Sequence, residues 1–115
     1  MHELARRMFE LSRDPQAGVN SAQLVCDKLR SRLTRFAGAD GFSALFRRAL
    51  RLATTEAPGL RAITLKSDGS IQGLDEVQEE EALVLVACQL EILVTLIGER
   101  LTIRLLADEW RELMQ

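Results

Sequence analysis

The apolar positions along the chain change their spacing, and the changes divide it into elements. From His2 to Arg13, the placing of Leu4, Ala5, Met8, Phe9 and Leu11 predicts a first amphipathic helix. "RDPQAG" stops it, because Pro15 disfavours helix at Asp14 and Gly18 punctuates the loop. Ala22, Val25, Cys26, Leu29, Leu33, Phe36 and Ala37 then recur at i, i+3, i+4 and i+7, which predicts a second helix. Asn20 is its N-cap, with Gln23 completing a start that resembles a capping box. "AGADG" ends this helix. Asp40 caps a third, whose inner stripe is Phe42, Leu45, Phe46, Ala49, Leu50 and Ala53, and "APG" closes it near Glu56.

In "RAITLKSDGSIQG" the period falls to two: Ile63 and Leu65 alternate with Thr64 and Lys66, and "SDG" is a turn signal. A two-residue Asp-Gly loop would place Lys66 beside Ile71 on one face. A three-residue loop, Ser67 to Gly69, pairs Leu65 with Ile71 and Thr64 with Gln72, makes each face uniform, and gives Gly69 the left-handed position of a bulged turn. A lone hairpin is marginal in water, so its Ile63, Leu65 and Ile71 face must pack on helices or on a second copy.

Asp75 opens a fourth helix, where Glu76, Glu79, Glu80 and Glu81 crowd the positive end of the helix dipole. The run that follows, "LVLVACQLEILVTLIGERL", is apolar on most sides. It is too short for the roughly 20 residues a membrane span needs, and Gln89 and Glu91 interrupt its middle. At 100° per residue, Val84, Cys88, Glu91, Ile92 and Thr95 form its one polar edge. A helix of this kind sits at the centre of a bundle or is shared with another subunit. Gly98 ends or kinks it, and a fifth helix is predicted from about Glu99 to Met114.

The expected fold is therefore mainly α: five helices around a central apolar helix, with one small β-hairpin, in a single helical domain over residues 1–115. A length of 115 residues suits one domain. An apolar fraction of 47% and a charged fraction of 28% suit a folded, water-facing chain. The net charge of −2 points to no particular partner, but its distribution is uneven. Residues 1–60 carry ten Lys/Arg against six Asp/Glu, and residues 61–115 carry five against eleven. Opposite-sign halves can pack on each other within a chain or across a symmetric dimer.

Chemistry has few parts to work with. His2 is the single histidine and there is no tyrosine, so neither a His-based metal site nor a His-assisted nucleophile is expected, and no cofactor is expected. Cys26 and Cys88 both fall on apolar helical patterns with no CxxC spacing, and read as buried free thiols in a cytoplasmic protein. "MHELARRMFELSRD" lacks the apolar core of a signal peptide. Glu91 is the one carboxylate weighed for chemistry, as a partly buried acid, against a plain reading in which it is exposed or pairs with an arginine such as Arg104. Arg47, Arg48 and Arg51 share the third helix and are candidate phosphate contacts. They would make a nucleic-acid-binding regulator the alternative function, although "GFSALF" is apolar where base-reading residues would stand.

The tail "LIGERLTIRLLADEW", together with "GFSALFRRAL", resembles the ending of small bacterial proteins that share a G-E-x-L-T-x-R-L-x-x-D-x-W pattern. The matching positions are Gly98, Glu99, Leu101, Thr102, Arg104, Leu105, Asp108 and Trp110. The resemblance implies a bacterial source and a stand-alone domain, and no activity. Together these readings predict a non-enzymatic interaction or regulatory module, acting by self-association as a homodimer. Its expected contact surface is the fourth helix with the hairpin: Leu65, Ile71, Leu83, Leu90, Glu91, Val94 and Ile97.

Overall fold

The two periodicities become two kinds of element. The computed structural model describes residues 1–13 and 21–111. Helix α1 (His2–Leu11) is followed by α2 (Ser21–Glu56), a 3-10 turn over Pro58–Ala62, and the strands β1 (Thr64–Leu65) and β2 (Ile71–Gln72). A second 3-10 turn, Leu74–Glu76, leads into α3 (Glu79–Ile97) and α4 (Glu99–Ala107). The molecule is mainly helical with one small antiparallel hairpin, as the hydrophobic spacing predicts. Helix α3 is central, packing against α1, α2 and α4, and the buried apolar side chains form one cluster around it. Among the described residues, no helix is long and apolar enough to cross a membrane.

The helices number four with α2 taken as one element, and α2 is itself two helical stretches interrupted at Gly38. It takes φ 80° and ψ 170°, a region that only glycine occupies comfortably, while helical structure continues on both sides. "AGADG" therefore interrupts the helix where a break was expected, but at the single residue Gly38, with helical structure resuming at Ala39, before the expected cap Asp40. The kink also corrects the predicted stripe of the second helix. Val25, Cys26, Leu29 and Leu33 are buried, but Phe36 and Ala37 lie where the chain turns away and are exposed. Asn20, Pro15 and Gly18 lie outside the described residues.

The hairpin has the three-residue register, Thr64 opposite Gln72 and Leu65 opposite Ile71, with Gly69 at φ 87°. Lys66 N–H donates to the Ser70 carbonyl at 2.9 Å. Inside the loop the Asp68 carboxylate accepts from the Ser70 hydroxyl (2.6 Å) and backbone N–H (2.9 Å), and these two bonds hold its pKa below the usual range. Ile63, Leu65 and Ile71 are buried in the chain's own core, so the helices of the same molecule cover the hairpin's apolar face.

Helix α3 begins later than Asp75. Asp75 and Glu76 belong to the preceding 3-10 turn, Val77 is extended, and Gln78 is the N-cap, whose backbone N–H donates to the Glu81 carboxylate at 3.1 Å. Gln78 and Glu81 are thus the residues that start the helix, leaving Glu79, Glu80 and Glu81 in its first turn. At the other end Gly98 (φ 87°, ψ 161°) breaks the chain into α4, which stops at Ala107, short of Met114. Residues 112–115 lie outside the described residues.

Candidate functional site

The tail pattern is accounted for by packing. The Thr102 hydroxyl donates to the Gly98 carbonyl at 2.8 Å, tightening the turn that starts α4. Asp108 and Glu109 together hold Arg32 of α2, at 3.0 and 3.3 Å, with the Arg32 side chain largely buried. Trp110 is buried, its indole N–H donates to the Ser12 hydroxyl at 2.9 Å, and the Lys28 ammonium stands 5.7 Å from the ring centre. Asp108 and Trp110 therefore fasten the C-terminal segment to α1 and α2, while Gly98 and Thr102 shape the start of α4. Glu99 and Arg104 are exposed and line an open surface hollow with Arg100 and Ile103.

The two cysteines carry no disulfide. Burial, with Asp27 nearby, pushes the Cys26 thiol up to about 12. Cys88 is only half-buried, which corrects the expectation of two buried thiols. Burial, Glu91 and Glu56 all raise its pKa and keep it protonated, and so a weak nucleophile. Glu91 is exposed on the polar edge of α3 and has no basic partner within 4.0 Å among the described residues, so neither a partly buried acid nor an ion pair with Arg104 is present. Gln89 is buried, and its amide reaches the Leu85 carbonyl at 3.5 Å.

The predicted contact surface is not a surface. Leu90 is 0% exposed, and Leu65, Ile71 and Leu83 are also buried within the molecule's own core. Val94 and Ile97 are half-buried, and of the seven residues only Glu91 is exposed. Helical period cannot separate a side chain facing its own core from one facing a second copy, because both are apolar. The exposed apolar groups are elsewhere: Leu96 at 69%, Phe36, Leu52 and Leu101 each at 53%, and Leu11 at 37%. Phe36 and Leu96 line one hollow of about 310 Å³ between α2 and α3, beside the kink, with half-buried Leu45 and with Phe42 and Leu93 behind. Leu52 continues the line along α2, seven residues beyond Leu45 on the same helix face.

The arginine set divides in a similar way. Arg48 borders that apolar hollow. Arg47 and Arg51, one helical turn apart, face a different and larger one of about 740 Å³, where Arg61 from the Pro58–Ala62 turn joins them. The half-buried Leu50 and the buried Leu60 and Ile63 lie beneath. Sequence reading missed Arg61 because nothing local ties it to the arginines ten and fourteen residues earlier. Arg6, Arg13 and Arg32 pair with Glu80 (3.8 Å), Glu79 (3.0 Å) and Asp108 (3.0 Å), so the basic first half and acidic second half meet within one chain. Among the described residues Arg47, Arg48, Arg51 and Arg61 have no carboxylate within 4.0 Å.

Comparison with protein-family models, with curated proteins and with solved structures gives no match to the chain.

Proposed function

We propose that the protein is a small helical interaction module that works by self-association, two copies meeting on the groove between α2 and α3. The observation that carries this reading is the grouping of Leu96 and Phe36, two of the most exposed large apolar side chains, on one hollow. Single exposed apolar residues are normal on a protein surface, whereas clustered ones mark contact sites. A second copy suits the groove because a two-fold contact brings the same patch to itself, and this patch is apolar at its centre with Arg48 at its border. Leu52 extends the apolar line along α2, giving an elongated seam rather than a round pocket. Opposite charges already satisfy one another inside the chain through Arg6, Arg13 and Arg32, so the seam depends on apolar burial. The reading assigns no catalytic residue. The two free thiols fit a reducing compartment such as the cytoplasm.

Size-exclusion chromatography with light scattering tests this reading. A mass of twice the 12.9 kDa chain is expected at micromolar concentration, returning to one chain mass in Phe36→Asp. A clean monomer throughout the micromolar range would overturn it.

A further inference from the structure

Separate from that seam, on the other side of α2, the hollow bordered by Arg47, Arg51 and Arg61 combines three features. Its charge is uncompensated, although the chain carries more acids than bases and neutralises Arg6, Arg13 and Arg32 with carboxylates. Arg47 and Arg51 stand at i and i+4, a spacing at which like charges repel, and Arg61 adds a third guanidinium. Half-buried Leu50 gives the hollow apolar surface, with Leu60 (0% exposed) and Ile63 buried beneath it. The hollow is wide and open to solvent, about 740 Å³ in extent.

We infer that this hollow is a binding site for a small organic phosphate, the guanidiniums of Arg47, Arg51 and Arg61 holding the phosphate, and Leu50 with the hydrocarbon stems of the arginines taking the group attached to it. Guanidinium forks suit phosphate oxygens because each can give two parallel hydrogen bonds. The other polar groups at the rim are already committed as donors. The Thr54 hydroxyl donates to the Leu50 carbonyl at 2.6 Å and the Thr55 hydroxyl to the Arg51 carbonyl at 3.2 Å. Anion recognition therefore falls to the arginines alone. A nucleic-acid backbone fits less well, since it needs a continuous basic track. Arg48, about 100° round the helix from Arg47 and about 60° from Arg51, borders the apolar groove instead, and Arg35 belongs to another hollow with Asp27.

The test is an NMR titration of the ¹⁵N-labelled full chain at low salt with 1-naphthyl phosphate, 1-naphthol, inorganic phosphate and a short DNA duplex. Naphthyl phosphate is expected to shift amides within residues 47–63 saturably, binding at least about tenfold more tightly than naphthol or inorganic phosphate. Arg51→Gln and Arg47→Gln should each weaken it by roughly tenfold, with Arg48→Gln within about twofold of wild type. All three side chains are exposed, and an unchanged unfolding midpoint checks that each variant folds. Four results would overturn the site: no saturable shift up to about 10 mM, shifts centred on Leu93 and Leu96, an Arg48→Gln effect equal to that of Arg51→Gln, or duplex DNA binding more tightly than naphthyl phosphate.

Discussion

The two halves of α3 are alike in sequence and meet opposite fates. In residues 82–90 nearly every side chain is buried, including Gln89, and only Val84 and Cys88 are partly open. In residues 91–97 only Leu93 is buried, and Leu96 is the most exposed large apolar residue among those described. The difference comes from the neighbours. The first half lies deep in the core cluster shared with α1, α2 and the hairpin, whereas the second emerges where α2 has bent at Gly38 and α4 has left at Gly98. An apolar helix is thus a core element at one end and an open face at the other, and two glycines outside that run decide where the change falls.

The largest expected effect is the contrast in stability between Leu90 and Leu96. Leu90→Ala should cost about 2–5 kcal/mol in urea unfolding, from lost burial plus a cavity. At low protein concentration Leu96→Ala should stay within about 0.5 kcal/mol of wild type. Equal costs would mean that the second half is as enclosed as the first. Gly38→Ala comes next. Nothing lies within 4 Å of where its Cβ would be, so the expected loss of about 1–3 kcal/mol is backbone strain alone, and an unchanged midpoint would show that the kink is not glycine-dependent.

The two thiols repeat the contrast on a smaller scale. Below pH 8 Cys26 is protonated in both folded and unfolded chains and adds no pH dependence. Above the ordinary thiol value of 9.0 the unfolded chain releases a proton that the folded chain keeps until about 12, so stability falls with rising pH. The slope from Cys26 is at most about 1.4 kcal/mol per pH unit and should be lost in Cys26→Ala, leaving the contribution of Cys88, whose thiol is also raised. Urea unfolding of both proteins between pH 7.5 and 10.5 measures it, and parallel curves would contradict it. Half-buried Cys88 should react with a thiol reagent at pH 8 well before Cys26 does.

Much of the fold was legible because its signals are local. The switch from helical to alternating period located the hairpin, and face uniformity fixed its register at Leu65 opposite Ile71. The stripes of α1, the first part of α2 and the centre of α3 were visible for the same reason. What failed was non-local. "AGADG" does interrupt the helix, but through one residue in a glycine-only conformation rather than through a loop with a new cap at Asp40. Phe36 carries the same apolar signal as Leu33, and only the direction taken after Gly38 separates them. The contact surface read from α3 and the hairpin failed because Leu83 and Leu90 are apolar for the sake of their own core. Arg61 joined Arg47 and Arg51 through a turn whose path the sequence does not specify.

The measurement that bears most directly on self-association through the α2–α3 groove is sedimentation equilibrium of wild type and Leu96→Glu side by side. Wild type is expected to form a dimer at micromolar concentration. The variant should dissociate at least about tenfold more readily, since a charge would enter the apolar seam, with its unfolding midpoint unchanged. A wild-type monomer at about 100 μM, or a variant that dimerises as tightly as wild type, would contradict the account.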